Sequence, residues 1–129
     1  MKVVLGIGCD RGTPIQTLDN AIDQALDSIG LTRESVLQLA TIDKKNDEVA
    51  ILKVSEINHW PISFFPAEQL AKIKVPSPSE VVLKYMGTPS VSEAAAILAA
   101  ETDMSSLLLE KFKLRGEDGK NATVSIVKK

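Results

Sequence analysis

Val3-Val4-Leu5-Gly6-Ile7-Gly8-Cys9-Asp10-Arg11-Gly12-Thr13-Pro14 is the stretch that decides the fold. The unbroken apolar run Val3–Ile7 is the pattern of a strand covered on both faces, and such strands sit in sheets with helices on each side. The glycines that follow mark a tight turn. The spacing then predicts a helix with three start signals: Thr13 as N-cap, Pro14 at the first helical position, and Gln16 closing a capping box. Ile15, Leu18, Ile22, Ala25, Leu26 and Ile29 repeat on one helical face, and Gly30 supplies the stop.

Further along, the alternation continues. Val36–Ile42 reads as a second strand and Asp47–Ile57 as a second helix. Trp60–Phe65 reads as a short third strand broken at Pro66, with a helical turn over Ala67–Ala71. Ser77, Pro78 and Glu80 predict another capping box, and Gly87 ends that helix. Ser90 and Glu93 predict a third box, opening an Ala-rich helix over Val91–Ala100 whose small side chains permit close approach to a neighbour. Leu107–Leu114 and Ala122–Val127 flank the turn-like Arg115-Gly116-Glu117-Asp118-Gly119 and read as a hairpin. The expected architecture is α/β: a three-layer sandwich, a mixed sheet with helices on both faces and a C-terminal antiparallel hairpin. No linker or repeat divides residues 1–129, so a single domain is expected.

Composition narrows the classes. Hydrophobic residues are 44% and aromatics only 4%, so the core must be built from Val, Ile, Leu and Ala. A net charge of −2 offers no basic stripe for nucleic acid. No apolar run is long enough to span a bilayer, and Met1-Lys2 lead into Val3 without a secretory h-region, so a cytoplasmic chain without membrane association is expected. Cys9 is the only cysteine, which excludes an intrachain disulfide and a Cys-based zinc site. Neither a metal nor a cofactor is expected.

Three segments could carry chemistry. In Gly6–Pro14, free backbone N–H groups at a helix opening suit a carboxylate or phosphate, and Arg11 adds a bidentate fork. The competing reading is that the glycines merely permit a tight turn. The segment lacks the Gly-Lys-Ser/Thr ending of a P-loop. Cys9 lies at a strand's carboxyl end, but its one conceivable base, His59, has no local signature beside it, and an inert buried thiol is the simpler account. In Ala40–Glu48, Asp43 and Glu48 could act as acid and base and Lys45 could hold an anion; alternatively the acidic residues only cap a helix. Glu93 and Glu80 have the spacing of capping-box partners.

Taken together, Gly6-Ile7-Gly8-Cys9 with Arg11-Gly12-Thr13-Pro14, Ala40-Thr41-Ile42-Asp43 with Lys45 and Glu48, Val75–Glu80, and Gly87-Thr88-Pro89-Ser90-Val91-Ser92-Glu93-Ala94-Ala95-Ala96 resemble the CobE/CbiG C-terminal domain family. Lys111 and Thr123-Val124-Ser125-Ile126-Val127 resemble its closing lysine and strand. Asp10 departs from the basic residue more usual there, Glu110 stands where a proline is common, and the hairpin loop is longer and more charged. The resemblance implies a role in cobalamin biosynthesis on a corrin-ring precursor, and hydrolysis of the δ-lactone of cobalt-precorrin-5A with acetaldehyde release. A second implication is a non-catalytic module that holds a corrinoid or completes an enzyme with another cobalamin-biosynthesis protein, favoured by the missing N-terminal region. The implied catalytic candidates are Asp43, Glu48 and Glu93. The implied substrate-binding candidates are Gly6, Gly8, Cys9, Arg11, Gly12, Thr13, Lys45, Ser77, Thr88, Ser90 and Lys111. Gly6–Thr13 and Ser90–Glu93 are expected to line one cleft.

Overall fold

In the computed structural model, which describes residues 1–129, the N-terminal apolar run is the central strand β1, Val3–Cys9. It leads through α1, Ile15–Ser28, to β2, Val36–Ile42, and through α2, Val49–Asn58, to β3, Ile62–Phe65. Three helices follow: α3, Ala67–Leu70; α4, Glu80–Met86; and α5, Ser92–Ala100. The chain closes with the hairpin β4, Leu107–Arg115, and β5, Asn121–Lys128. The sheet order is β3-β2-β1-β5-β4. β1 pairs parallel with β2, and β2 with β3, whereas β5 runs antiparallel to both β1 and β4. Strands β1 to β4 therefore point one way, and their carboxyl ends share one edge of the sheet, where α/β folds place their sites.

Each face of the sheet has its own apolar core. Leu5, Ile7, Val124 and Ile126 pack with Leu18, Ile22, Ile51 and Val54 of α1 and α2. Val4, Ala40, Ile42 and Val127 pack with Leu70 of α3 and Ala94–Ile97 of α5. This is the expected three-layer sandwich, with buried aliphatic side chains supplying the hydrophobic driving force. Arg33 clasps the α1–α2 layer from outside: it donates to Asp19 and Asp23 at 2.8 Å each and to Asn58 at 3.1 Å, and its guanidinium lies 5.6 Å from the Trp60 ring centroid.

Gly6 sets how closely α5 approaches. A Cβ there would lie 1.7 Å from the Ser92 carbonyl oxygen and 3.0 Å from Ala96 Cβ. The bare backbone of β1 and the small face of α5 thus fit together, and the opening of α5 is pressed against the end of β1.

The helix starts depart from the capping boxes that the spacing predicts. For α1 the N-cap is Pro14, without a side-chain cap. Thr13 instead donates to the Asp10 carbonyl at 2.7 Å and lies 3.3 Å from that of Asn121, so its hydroxyl is turned back into the turn rather than toward the helix N–H groups. Gln16 turns along the helix to Asn20. For α4 the cap is Ser79, which accepts from the Val82 N–H at 3.2 Å, two residues beyond the expected Ser77. Before α5, Ser90 Oγ accepts from the Ala94 N–H at 3.4 Å, but Glu93 does not reach back to the Ser90 N–H, which faces Thr88 Oγ1. Helix α2 begins at Val49 rather than Asp47, with Glu48 before it in extended backbone and its carboxylate bonded to the glycine turn, 36 residues away in sequence.

Candidate functional site

A cleft of about 650 Å³ opens beside the carboxyl end of β1, within the range typical of ligand pockets. Its floor is the β1–β5–β4 part of the sheet: Gly8 is level with Thr123, and Thr123 with Lys113. Strand alternation sends Lys111 and Lys113 to the cleft side while Phe112 between them packs into the α1-side core. Val81, Val82, Tyr85 and Met86 of α4 form an apolar wall, and Ser90, Val91 and Ser92 bring in the opening of α5. Tyr85 is 71% exposed and Val81 66%, so the wall shows apolar surface to solvent.

The floor is bare at Gly8. Its φ is not in the left-handed region, and an added Cβ would meet only Thr123 Cβ, at 3.8 Å. Unlike Gly6, it is not required by packing.

Cations dominate the lining. Lys45, on the turn after β2, is 8% exposed and has neither a hydrogen-bond nor an ion-pair partner. Lys111 Nζ donates to the Ser77 carbonyl at 3.1 Å and lies 3.3 Å from Glu93 Oε1, an ion-pair distance without hydrogen-bonding geometry. Lys113 is exposed. Glu93 is wholly buried behind Lys111, and neither oxygen has a hydrogen-bond donor. Burial pushes its carboxyl above the ordinary range, and the Lys111 charge pulls it partway back. Asp10 is the one carboxylate in the lining; its Oδ2 accepts from the Asn121 backbone N–H at 2.7 Å and side-chain amide at 3.2 Å. Burial pushes the Cys9 thiol up to about 11 against the lowering effect of Lys45, so it is protonated and a poor nucleophile at neutral pH. His59 follows α2 and precedes β3, at the opposite end of the parallel strands from Cys9, so the two form no dyad.

Of the candidates, Gly8, Cys9, Lys45, Ser90 and Lys111 line this cleft. The Gly6–Thr13 and Ser90–Glu93 segments thus meet at one edge, as expected. The other candidates have different surroundings. Gly6 is covered by α5. Arg11 donates to Asp47 and Glu48 at 2.8 Å each and to the Lys44 carbonyl at 2.8 Å, so its fork is engaged within the chain. Its hydrogen bond with Asp47 raises the Arg11 pKa and lowers that of Asp47. Glu48, 3% exposed, receives the Arg11 bond on one oxygen and the Gly12 N–H at 2.8 Å on the other, an arrangement that fixes the turn and leaves no free general base. Asp43 is exposed outside the cleft, Thr13 is tied to backbone, and Ser77 offers its carbonyl to Lys111. Thr88 is buried and donates to the Ser90 carbonyl at 3.0 Å. Sequence reasoning missed Ser79, Tyr85, Lys113, Asn121 and Thr123 in the lining. The i, i+2 pair Lys111/Lys113 around Phe112 was the available signal. No three His, Cys, Asp or Glu side chains converge as a metal cradle, and no helix is long and apolar enough to cross a membrane.

Comparison with known proteins supplies chemical context. Residues 3–127 match the family described as Cobalamin synthesis G C-terminus. The chain is 33% identical over 109 residues to the cobalt-precorrin-5A hydrolase of Priestia megaterium, a match covering 84% of this chain but 29% of that protein. It is 32% identical over 112 residues to the protein CobE of Sinorhizobium sp., covering 85% and 72% respectively. The crystal structure of CobE, a protein from the cobalamin (vitamin B12) biosynthetic pathway, superposes with a TM-score of 0.80 at 29% identity, covering 98% of this chain and 91% of the other. The chain thus spans less than a third of the Priestia hydrolase and most of the CobE proteins.

Proposed function

We propose that this chain, which belongs to the Cobalamin synthesis G C-terminus family, holds a corrin-ring precursor in the cleft between α4 and the β1–β5–β4 floor. A corrin precursor is a broad apolar macrocycle with carboxylate side chains around its rim. The carrying observation is the matching division of the cleft: an apolar wall of Val81, Val82, Tyr85 and Met86 on one side, and Lys45, Lys111 and Lys113 on the other. The wall would take the ring face and the Lys45 and Lys113 ammonium groups the rim carboxylates, strengthened by the positive end of α5. A tetrapyrrole is larger than the cleft, so one edge would be gripped while the remainder stays open to a second protein of the pathway.

Titrating the purified chain with cobyrinic acid, followed by calorimetry and visible absorbance, tests this reading. Saturable one-to-one binding that weakens as salt is raised is expected. Absence of binding even at low salt would overturn it.

A second reading, hydrolysis of the cobalt-precorrin-5A lactone, draws on the likeness to the Priestia hydrolase and on Asp10, whose carboxylate faces the cleft. It needs an activated water, and Glu48 and Glu93 are both withheld from solvent by their contacts and burial. Acetaldehyde release from cobalt-precorrin-5A by the isolated chain would favour this second reading over binding alone.

A further inference from the structure

Three cations near the end of β1 were candidates to receive an anion, and their partners separate them. The Arg11 guanidinium is committed to Asp47, Glu48 and the Lys44 carbonyl. Lys111 is committed to Glu93 and the Ser77 carbonyl. Lys45 has no partner, although it is 8% exposed and lines the cleft. Most of the Lys45 side chain is buried while its ammonium lacks a direct hydrogen-bond or ion-pair partner, so the group is placed to pair with an arriving anion.

The neighbouring floor has the complementary property. Gly8 lines the same cleft, yet nothing in the fold demands a glycine there: its φ is ordinary and the space above its Cα holds only the Thr123 methyl-bearing carbon at 3.8 Å. A side chain at this position would project into the space that a ligand needs. The contrast with Gly6, where a Cβ would strike the Ser92 carbonyl at 1.7 Å, shows that glycine at position 8 is not a by-product of helix packing.

We infer that Gly8 and Lys45 form a dedicated carboxylate subsite, in which one carboxylate-bearing side chain of the ligand lies over the bare backbone of β1 and its anion pairs with the Lys45 ammonium. This rests on the corrin-precursor reading and adds to it the residue that recognises charge. Arg11 and Glu48 are then positioning residues for the turn, and Lys45 is the contact.

The test compares cobyrinic acid with its heptamethyl ester, which keeps the ring and removes every negative charge. Lys45→Met should weaken binding of the acid by about ten- to a hundredfold, as expected for a lost charge-assisted contact, and should leave the ester's affinity unchanged. Lys45→Arg should recover part of the loss. Gly8→Ala should also weaken the acid at least about tenfold while its thermal midpoint stays unchanged or rises slightly, since ordinary van der Waals space receives the methyl group. Lys53→Met, which removes an exposed lysine of α2 outside the cleft, should bind the acid as the wild type does. In the wild type, bound acid should protect Lys45 from acetic anhydride, which decides the matter even if a variant fails to fold. Wild-type affinity in folded Lys45→Met or Gly8→Ala, or unprotected Lys45 in the complex, would overturn the subsite while the cleft reading stands. A wild-type chain that binds neither compound would remove both.

Discussion

At the scale of single residues, Glu93 is the group under greatest electrostatic tension. Its carboxylate is 0% exposed and unbonded, faced by the Lys111 ammonium from β4 and, on the unfavourable side, by the Glu110 charge. Burial raises its pKa above the ordinary value of 4.5. Between that value and the raised one, the folded chain keeps a proton that the unfolded chain has released, so this group's contribution to stability falls as pH rises through the window. Glu93→Gln should remove that decline, giving a flatter profile and a higher midpoint than wild type above the window. Thermal denaturation from about pH 4 to 8 checks this; parallel curves for the two proteins would contradict it. Residue-level roles were only partly legible in the sequence. The Ser90–Glu93 spacing fits a capping box, but Thr88 faces the Ser90 N–H and leaves the carboxylate turned toward β4. The Arg11–Glu48 pair joins positions 37 apart in the chain, a separation that local patterns do not report.

Among the elements, α4 stands apart. None of its residues is buried. Its ends are held by two lysines, Lys111 donating to the Ser77 carbonyl and Lys44 to the Met86 carbonyl, each at 3.1 Å. Its first turn is held by the Ser79 cap. A segment with so little buried apolar contact opens locally at low free-energy cost. Ser79→Ala should cost about 1 kcal/mol in the local opening of α4, seen as faster amide exchange over 80–86, with the global midpoint unmoved. A matching fall in the global midpoint would show that α4 unfolds with the core. The first helix was legible from apolar periodicity and the later α4 and α5 from capping and glycine signals, and the stops at Gly30 and Gly87 follow from their left-handed φ of 72° and 78°. The starts were displaced by a residue or two, because the Thr13 hydroxyl turns back to the Asp10 carbonyl, Ser79 rather than Ser77 caps α4, and Glu48 is bonded to Gly12 far along the chain. Strand β2 matched its reading at both ends, since its apolar run is bounded by polar turns.

For the whole molecule, topology explains why residues distant in sequence share one cleft. With β5 inserted antiparallel between β1 and β4, the end of β1 lies beside the start of β5, and the cleft-side lysines of β4 flank β5 on its other side. The Ala-rich α5 lies on the same face because Gly6 lets it approach. The strand–helix alternation and terminal hairpin made the layered architecture readable in advance. The order β3-β2-β1-β5-β4 was not readable, because pairing depends on contacts between distant segments rather than on local period; this is also why Lys113, Asn121 and Thr123 escaped notice. The central claim is that this composite cleft receives the corrin precursor, and an amide chemical-shift map of the labelled chain titrated with cobyrinic acid tests it most directly. The account predicts shifts concentrated at Gly8–Asp10, Lys45, Ser79–Ser92 and Lys111–Thr123, with α1 and α2 silent. Shifts centred on α1 and α2, or none at saturating ligand, would contradict it.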